Sequence, residues 1–210
     1  MSADRSARQI ATALSRLSLF LRSAGWQAAR AAGLTPTQAE ILTHLARRGP
    51  ARGAELAAAL GVTAATLSDS AAALVAKGLA ERRPDPADAR ATLLRPTGEG
   101  AALAGAMPEA PAVLLEALAG LPQADRAGLA RGLMLTIAAL QTARAIPVQR
   151  ICATCRYFRP HVHSDAEAPH HCDFVDAAFG DAALRLDCGD HEAAPAERAA
   201  ASLRRLRDAA

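Results

Sequence analysis

The 210-residue sequence predicts a mainly α fold with one small β hairpin, followed by a segment of different character. Three observations carry that expectation. Apolar residues recur at helical spacing through most of the chain up to Ala145. A turn-forming, charged stretch, PDPADAR, separates two short runs that read as strands. Apolar residues make up 51% of the chain but aromatics only 3%, so much of the apolar content is alanine, which favours helix and buries little area. Bulky side chains are therefore scarce, and where they fall is informative.

Taken in order, Asp4 to Ala31 read as one long helix. Ile10, Leu14, Leu17 and Leu21 lie near helical spacing, Arg5, Arg8, Arg16 and Arg22 fall elsewhere, and Phe20 and Trp26 add bulk. Pro36 to Arg48 follow as a helix, with Thr35 as its cap and a proline in its first turn. Arg52 to Leu60 give a further helix and Gly61 a tight turn. Then comes TAATLSDSAAALVAKG, Thr63 to Gly78, around which the rest is arranged. Thr63 is placed to cap it, Leu67, Ala71, Leu74 and Val75 form a buried stripe, and Gly78 ends it. Short side chains (Ala64, Ala65, Thr66, Ser68, Asp69, Ser70) remain on or beside the opposite face. Leu79 to Arg83 and Thr92 to Arg95 are the two strands. Thr97 to Leu118 and Pro122 to Ala145 return to helix, broken at Pro108, Pro111 and Gly120-Leu121-Pro122. In the last helix Leu129, Leu133, Ile137 and Leu140 make a stripe that a single copy would leave uncovered.

Helix, helix, helix, strand, charged turn, strand is the order of a winged helix-turn-helix. Its third helix presents short side chains, so the backbone can approach base edges in a major groove. With the text LTPTQAEILTHLARRGP, then ELAAALGVTAATLSDSAAALVAKGLAERRPDPADARATLL, then TGEG, the region from Ala32 to Leu103 resembles the MarR-type transcriptional regulators. The resemblance implies a homodimer, the first helix pairing with late helices across a two-fold axis, that binds a double-stranded, palindromic DNA operator. The residues expected at the DNA are Thr63, Thr66, Ser68, Asp69 and Ser70 on the groove helix and Arg82, Arg83 and Arg90 on the wing. Two departures from the family remove positive charge from that face. Asp69 and Ala73 stand where arginines are frequent, and Asp88 is followed by Ala89 before Arg90 rather than by two basic residues. An aspartate can accept a hydrogen bond from cytosine N4, which would be a sequence-reading contact, but it also repels phosphates. In the wing itself, the structural alternative to DNA contact is a hairpin in which Asp85 or Asp88 pairs with Arg90 and only stiffens the turn.

The net charge of +3 permits nucleic-acid binding without requiring it, and Lys77 is the only lysine among 24 cations. No signal peptide and no apolar run of membrane-spanning length are visible, so a soluble cytoplasmic protein is expected. There is no phosphate-cradling glycine loop and no nucleophile–base set, so no enzyme is expected.

After Ile146-Pro147 the composition changes. Residues 150–191 hold all four cysteines, five of the six histidines and four of the six aromatics. The spacing is Cys152-x2-Cys155, then Cys172, then Cys188. A C-x2-C pair lets two thiolates of one turn face a single centre, and two later cysteines complete four soft ligands, suited to tetrahedral zinc or a [4Fe-4S] cluster. In spacing and in the nearby Tyr157, Phe158 and Phe174, the segment loosely resembles high-potential iron–sulfur proteins, which hold a four-iron cluster in an aromatic shell. The cluster is the preferred reading, zinc the alternative, and a metal-free thiol switch the third. His170 and His171, abutting Cys172, are the best substitute ligands among the histidines. Arg150, Arg156 and Arg159 are expected to lower the thiol pKa values, or equally to touch DNA or the acidic run Asp173, Asp176, Asp181, Asp187 and Asp190.

The organisation expected is therefore an N-terminal dimerisation helix (1–33), a winged helix-turn-helix (34–100), further dimerisation helices (101–147), a Cys-rich metal module (148–192) and a basic helical tail (193–210). Functionally this reads as a homodimeric DNA-binding regulator whose C-terminal metal module tunes operator binding. The alternatives are a redox or electron-transfer protein with a winged helix for protein contacts, and a regulator whose zinc only supports folding.

Overall fold

The computed structural model describes residues 4–208 and divides the chain into two compact units between Glu116 and Ala117. The outermost residues of the expected N-terminal segment and tail, 1–3 and 209–210, lie outside the described residues. The first unit holds α1 (Arg5–Ala31), α2 (Pro36–Arg48), β1 (Ala51–Arg52), α3 (Gly53–Leu60), α4 (Ala64–Ala76), β2 (Ala80–Asp85), β3 (Asp88–Pro96) and α5 (Gly98–Ala106). A short α6 (Ala112–Ala119) spans the division. The second unit holds α7 (Gln123–Thr142), β4 (Phe158–Arg159), β5 (His170–Cys172), β6 (Ala177–Phe179) and α8 (Ala196–Asp208).

In the first unit, Ile41, Leu42 and Leu45 of α2 meet Leu56 of α3, Leu67 and Leu74 of α4, and Leu79 and Leu94 beside and within the sheet. Fully burying one such side chain stabilises by about 1.5–3 kcal/mol, so this cluster supplies most of the cohesion. Of the expected α4 stripe, Leu67, Ala71 and Leu74 are buried, while Val75, at the edge of that stripe, is exposed. The entry to α2 is closed by a reciprocal cap. The Thr35 hydroxyl accepts from the Gln38 amide at 3.3 Å, and Gln38 Oε1 accepts from the Thr35 amide at 3.3 Å. Gln38 Oε1 also accepts from Lys77 Nζ at 3.0 Å, and the same ammonium donates to the Gly33 carbonyl at 2.7 Å. The single lysine thus ties the end of α4 to the start of α2.

The wing is antiparallel in the order β1-β3-β2, with Ala51 opposite Leu94 and Arg82 opposite Leu94 on the other side. Its strands are longer than the sequence suggested, and β1 was not anticipated. Two residues carry too little pattern to be read as a strand. Gly100 in α5 sits where a Cβ would come 1.9 Å from the Leu79 carbonyl oxygen, which only glycine allows.

In the second unit the anticipated α7 stripe is uncovered at Leu129 and Leu140, with Leu133 and Ile137 half-buried, and the buried residues of the helix are Met134 and Ala138. Those two share a core with Ile151, Ala153, Phe158 and Leu184 from the cysteine segment and Leu206 of α8. The tail helix is therefore packed on one face, not solvated all round. No single described helix is long and apolar enough to cross a membrane; α3 and α4 together have the length and composition, but they are bent by 113° and their leucines lie in the core.

Candidate functional site

Two sites emerge, one in each unit. On the first, α4 begins at a cap in which the Thr63 hydroxyl accepts from the Thr66 amide at 3.1 Å. Thr63 and Thr66 also join hydroxyl to hydroxyl at 2.8 Å. Both hydroxyls are exposed, as are Ser68 and Asp69, while Ser70 is half-buried. The exposed start of α4 is thus a surface of short polar groups on a rigid helix, the arrangement needed for close approach to base edges. Arg82, exposed on β2, lines a shallow cleft of about 310 Å³ with Ser68, Leu67 and Thr92, which places a cation beside that helix.

The wing turn is built differently from the charge-paired alternative. Asp85 and Asp88 do not pair with the Arg90 side chain. Asp85 is buried, its carboxylate accepting from Arg52 Nε at 2.7 Å and from the Ala87 amide at 2.9 Å. Those contacts, the amide first, hold the Asp85 carboxyl below its ordinary pKa. Asp88 accepts only the backbone N–H of Arg90, at 3.1 Å, and lies 3.7 Å from Arg52. The cause is β1: it brings Arg52 across the sheet to the turn, a long-range pairing that local sequence does not reveal. The Arg90 side chain is left exposed, whereas Arg83 is held by Glu81 at 2.8 Å.

In the second unit Cys152 and Cys155 lie at the two ends of a 3-10 turn, Cys152–Thr154, the Cys155 amide donating to the Cys152 carbonyl at 2.9 Å. Cys172 ends β5, opposite Phe158. Cys188 is fixed by its amide, which donates to the Arg150 carbonyl at 2.9 Å, while the Cys152 amide donates to the Arg185 carbonyl at 3.0 Å. The chain then returns past the first turn: the Arg156 amide donates to Glu192 at 2.8 Å and the Ala194 amide to Thr154 at 2.9 Å. These cross-links bring all four cysteines onto one cavity of about 260 Å³. Tyr157, Phe158, Phe174 and Phe179 line it as well. None of the four is in a disulfide. Phe179 was not foreseen as a lining residue, although its rarity was a usable signal.

Burial pushes the Cys152 thiol up to about 11, the Arg185 amide pulls against it, and the charges of Cys188, Cys155 and Cys172 add to the rise. For Cys152 this reverses the expectation of a lowered thiol. The three arginines assigned that role are engaged elsewhere: Arg156 with Glu192, Arg159 with Asp173, and Arg150 with the Gly189 carbonyl. The arginine that reaches the cysteines is Arg185, whose amide donates to Cys152 Sγ at 3.3 Å and whose Nη1 lies 3.7 Å from Cys188 Sγ. The histidines stand off the cavity. His170 is fully buried, with Nε2 at 2.8 Å from Asp181 and Nδ1 accepting from the His161 amide at 3.3 Å. His171 turns to His163 and Asp176 at 3.2 Å each. Both rings spend their nitrogens on these partners.

The geometry of the first unit defines a winged helix-turn-helix protein. Its segment 32–91 matches the MarR family model. Among solved structures it is similar to RV1404 from Mycobacterium tuberculosis, with 26% identity, a TM-score of 0.53, and coverage of 70% of this chain and 99% of that one. It shares its fold with S. aureus MepR in a DNA complex (20% identity, TM-score 0.51, 62% and 97% covered). Transcriptional regulator Tm0710 from Thermotoga maritima aligns at 26% identity and a TM-score of 0.48, over 66% of this chain and 98% of that one. No curated protein sequence matches the chain.

Proposed function

We propose that the protein is a homodimeric, cytoplasmic transcriptional regulator that binds a palindromic duplex operator, and that a four-cysteine metal centre tunes that binding. The observation that carries the reading is the exposed start of α4, with its Thr66, Ser68 and Asp69 face, flanked by the exposed Arg82 and Arg90. Short polar groups read base edges, and arginines contact phosphates or the minor groove. Dimerisation is supported by α1, a 27-residue helix of which Ala29 alone is buried. Its Leu14, Leu17, Phe20 and Leu21 are all exposed, an apolar face that a second copy would cover. Two groove helices related by a two-fold axis then match a palindrome.

Tuning requires that the centre favour one of two dimer states; a group bound equally in both would shift nothing. The test is selection from random duplexes at low ionic strength, then measurement of affinity with the centre loaded, emptied, and in Cys152→Ser. An enriched inverted repeat, bound by a dimer with affinity that depends on loading, is expected. Failure to retain any duplex would end the DNA-binding reading, and equal affinity in all three states would end the tuning.

A further inference from the structure

We infer that the four-cysteine cavity is built for one [4Fe-4S] cluster rather than for a single zinc ion, with Arg185 as the residue that sets its electrostatics. The inference rests on the metal centre proposed above and specifies its occupant. A single zinc would need four sulfurs each about 2.3 Å from one point, hence about 3.8 Å from one another. Among the described residues no three Cys, His, Asp or Glu side chains gather closely enough to hold one ion. Yet all four cysteines line the same cavity of about 260 Å³, a space with room for more than one ion. A cube of four irons and four sulfides spreads its metal ions apart and takes one thiolate on each, the ligand set that surrounds a volume.

The lining agrees. Tyr157 and Phe174 stack at 5.3 Å between ring centroids, and Phe158 and Phe179 at 6.0 Å, so aromatic rings shield the space between the thiols. An apolar shell and hydrogen bonds to sulfur are the levers that set a cluster's reduction potential. Among the described residues Arg185 supplies such hydrogen bonds: its amide on Cys152 and its guanidinium near Cys188. A fixed positive charge beside two of the thiolates favours the more reduced, more negative state of the cluster, and so raises its potential.

The experiment uses the full chain, stripped of metal under anaerobic conditions and offered a preformed synthetic [4Fe-4S] thiolate cluster together with Zn2+. Uptake is a ligand exchange, the four thiol protons passing to the four displaced thiolates with no change of oxidation state. Retention of iron and sulfide at about four each per chain is expected, and its loss in each of Cys152→Ser, Cys155→Ser, Cys172→Ser and Cys188→Ser. Zinc retained in preference, or neither group retained, overturns the assignment. With the cluster in place, Arg185→Gln is expected to move its potential downward and Arg185→Lys to restore most of the shift; an unmoved potential overturns the role given to Arg185. Neither measurement involves DNA, so a failure of the operator reading leaves both outcomes unchanged.

Discussion

The first unit is held by aliphatic side chains interlocked between helices; the second is held by backbone hydrogen bonds that cross long stretches of irregular chain. In the first, Ile41, Leu42, Leu45, Leu56 and Leu74 are fully buried from three neighbouring helices. In the second, β4, β5 and β6 are two or three residues each, and the cysteine segment depends on links such as Cys152 to Arg185 and Arg156 to Glu192. Its apolar core borrows Met134 from α7 and Leu206 from α8. The contrast fits the functions proposed above: a reader of DNA must hold one helix rigidly, whereas a metal module can draw part of its order from the group it binds.

The widest test of that contrast sets Leu42→Ala against Leu206→Ala. Each removes a fully buried leucine and is expected to cost about 2–5 kcal/mol, read by hydrogen exchange of amides in α2 for the first and in α8 for the second. Filling the four-cysteine centre is expected to recover much of the protection lost in Leu206→Ala and none of that lost in Leu42→Ala. Equal recovery in both would dissolve the distinction.

A smaller effect comes from α5. Gly100→Ala forces a Cβ onto the Leu79 carbonyl and is expected to cost about 1–3 kcal/mol. Gly105→Ala in the same helix meets nothing within 4 Å. It is expected to stabilise by about 0.5–1 kcal/mol, so chemical denaturation of the two variants should shift in opposite directions.

The two units also differed in how far they could be read from sequence. Helical periodicity, the Thr35 and Thr63 caps and the proline breaks located α1 to α5 because each signal lies within one or two turns. The cysteine spacing marked out residues 148–192 for the same reason, a chemical type recurring at short range. What stayed hidden was long-range. Arg52 reaches Asp85 across 33 positions, and the amide of Arg185 reaches Cys152 across the same separation. The three arginines adjacent to the C-x2-C were the natural choice and the wrong one, since each finds a nearer acceptor. Likewise only the packed structure shows that Met134 and Ala138 of α7 share a core with the cysteine segment.

The wing clamp makes a pH-dependent prediction. Asp85 has its pKa lowered in the folded chain, so its contribution is present above the ordinary carboxylate pKa and is lost as pH falls through the folded value. Protection of the β2 and β3 amides, taken relative to the intrinsic exchange rate at each pH, is expected to fall across that acidic window in the native chain. In Asp85→Asn that protection should already be lower at neutral pH and change little on acidification. If the native wing kept its protection down to the bottom of that window, Arg52 and Asp85 would not be what fixes the turn.

The finest distinction lies between two arginines of the same hairpin. Arg83 is held by Glu81 at 2.8 Å, and Glu81 also engages Arg95, so bringing Arg83 to a phosphate means loosening an existing ion pair. The Arg90 side chain is exposed and Asp88 takes only its backbone N–H, so its guanidinium reaches a phosphate without that loss. Each phosphate neutralised contributes about 0.9 to the slope of log affinity against log salt concentration. Arg90→Ala is therefore expected to weaken binding to all duplexes alike and to lower the slope by about 1. Arg83→Ala should lower it by a smaller amount, because Glu81 already offsets part of that charge. Slopes measured from roughly 50 to 200 mM salt separate the two. A larger change for Arg83 than for Arg90 would mean that the hairpin opens its own ion pairs on binding, and that the wing at the DNA differs from the free wing.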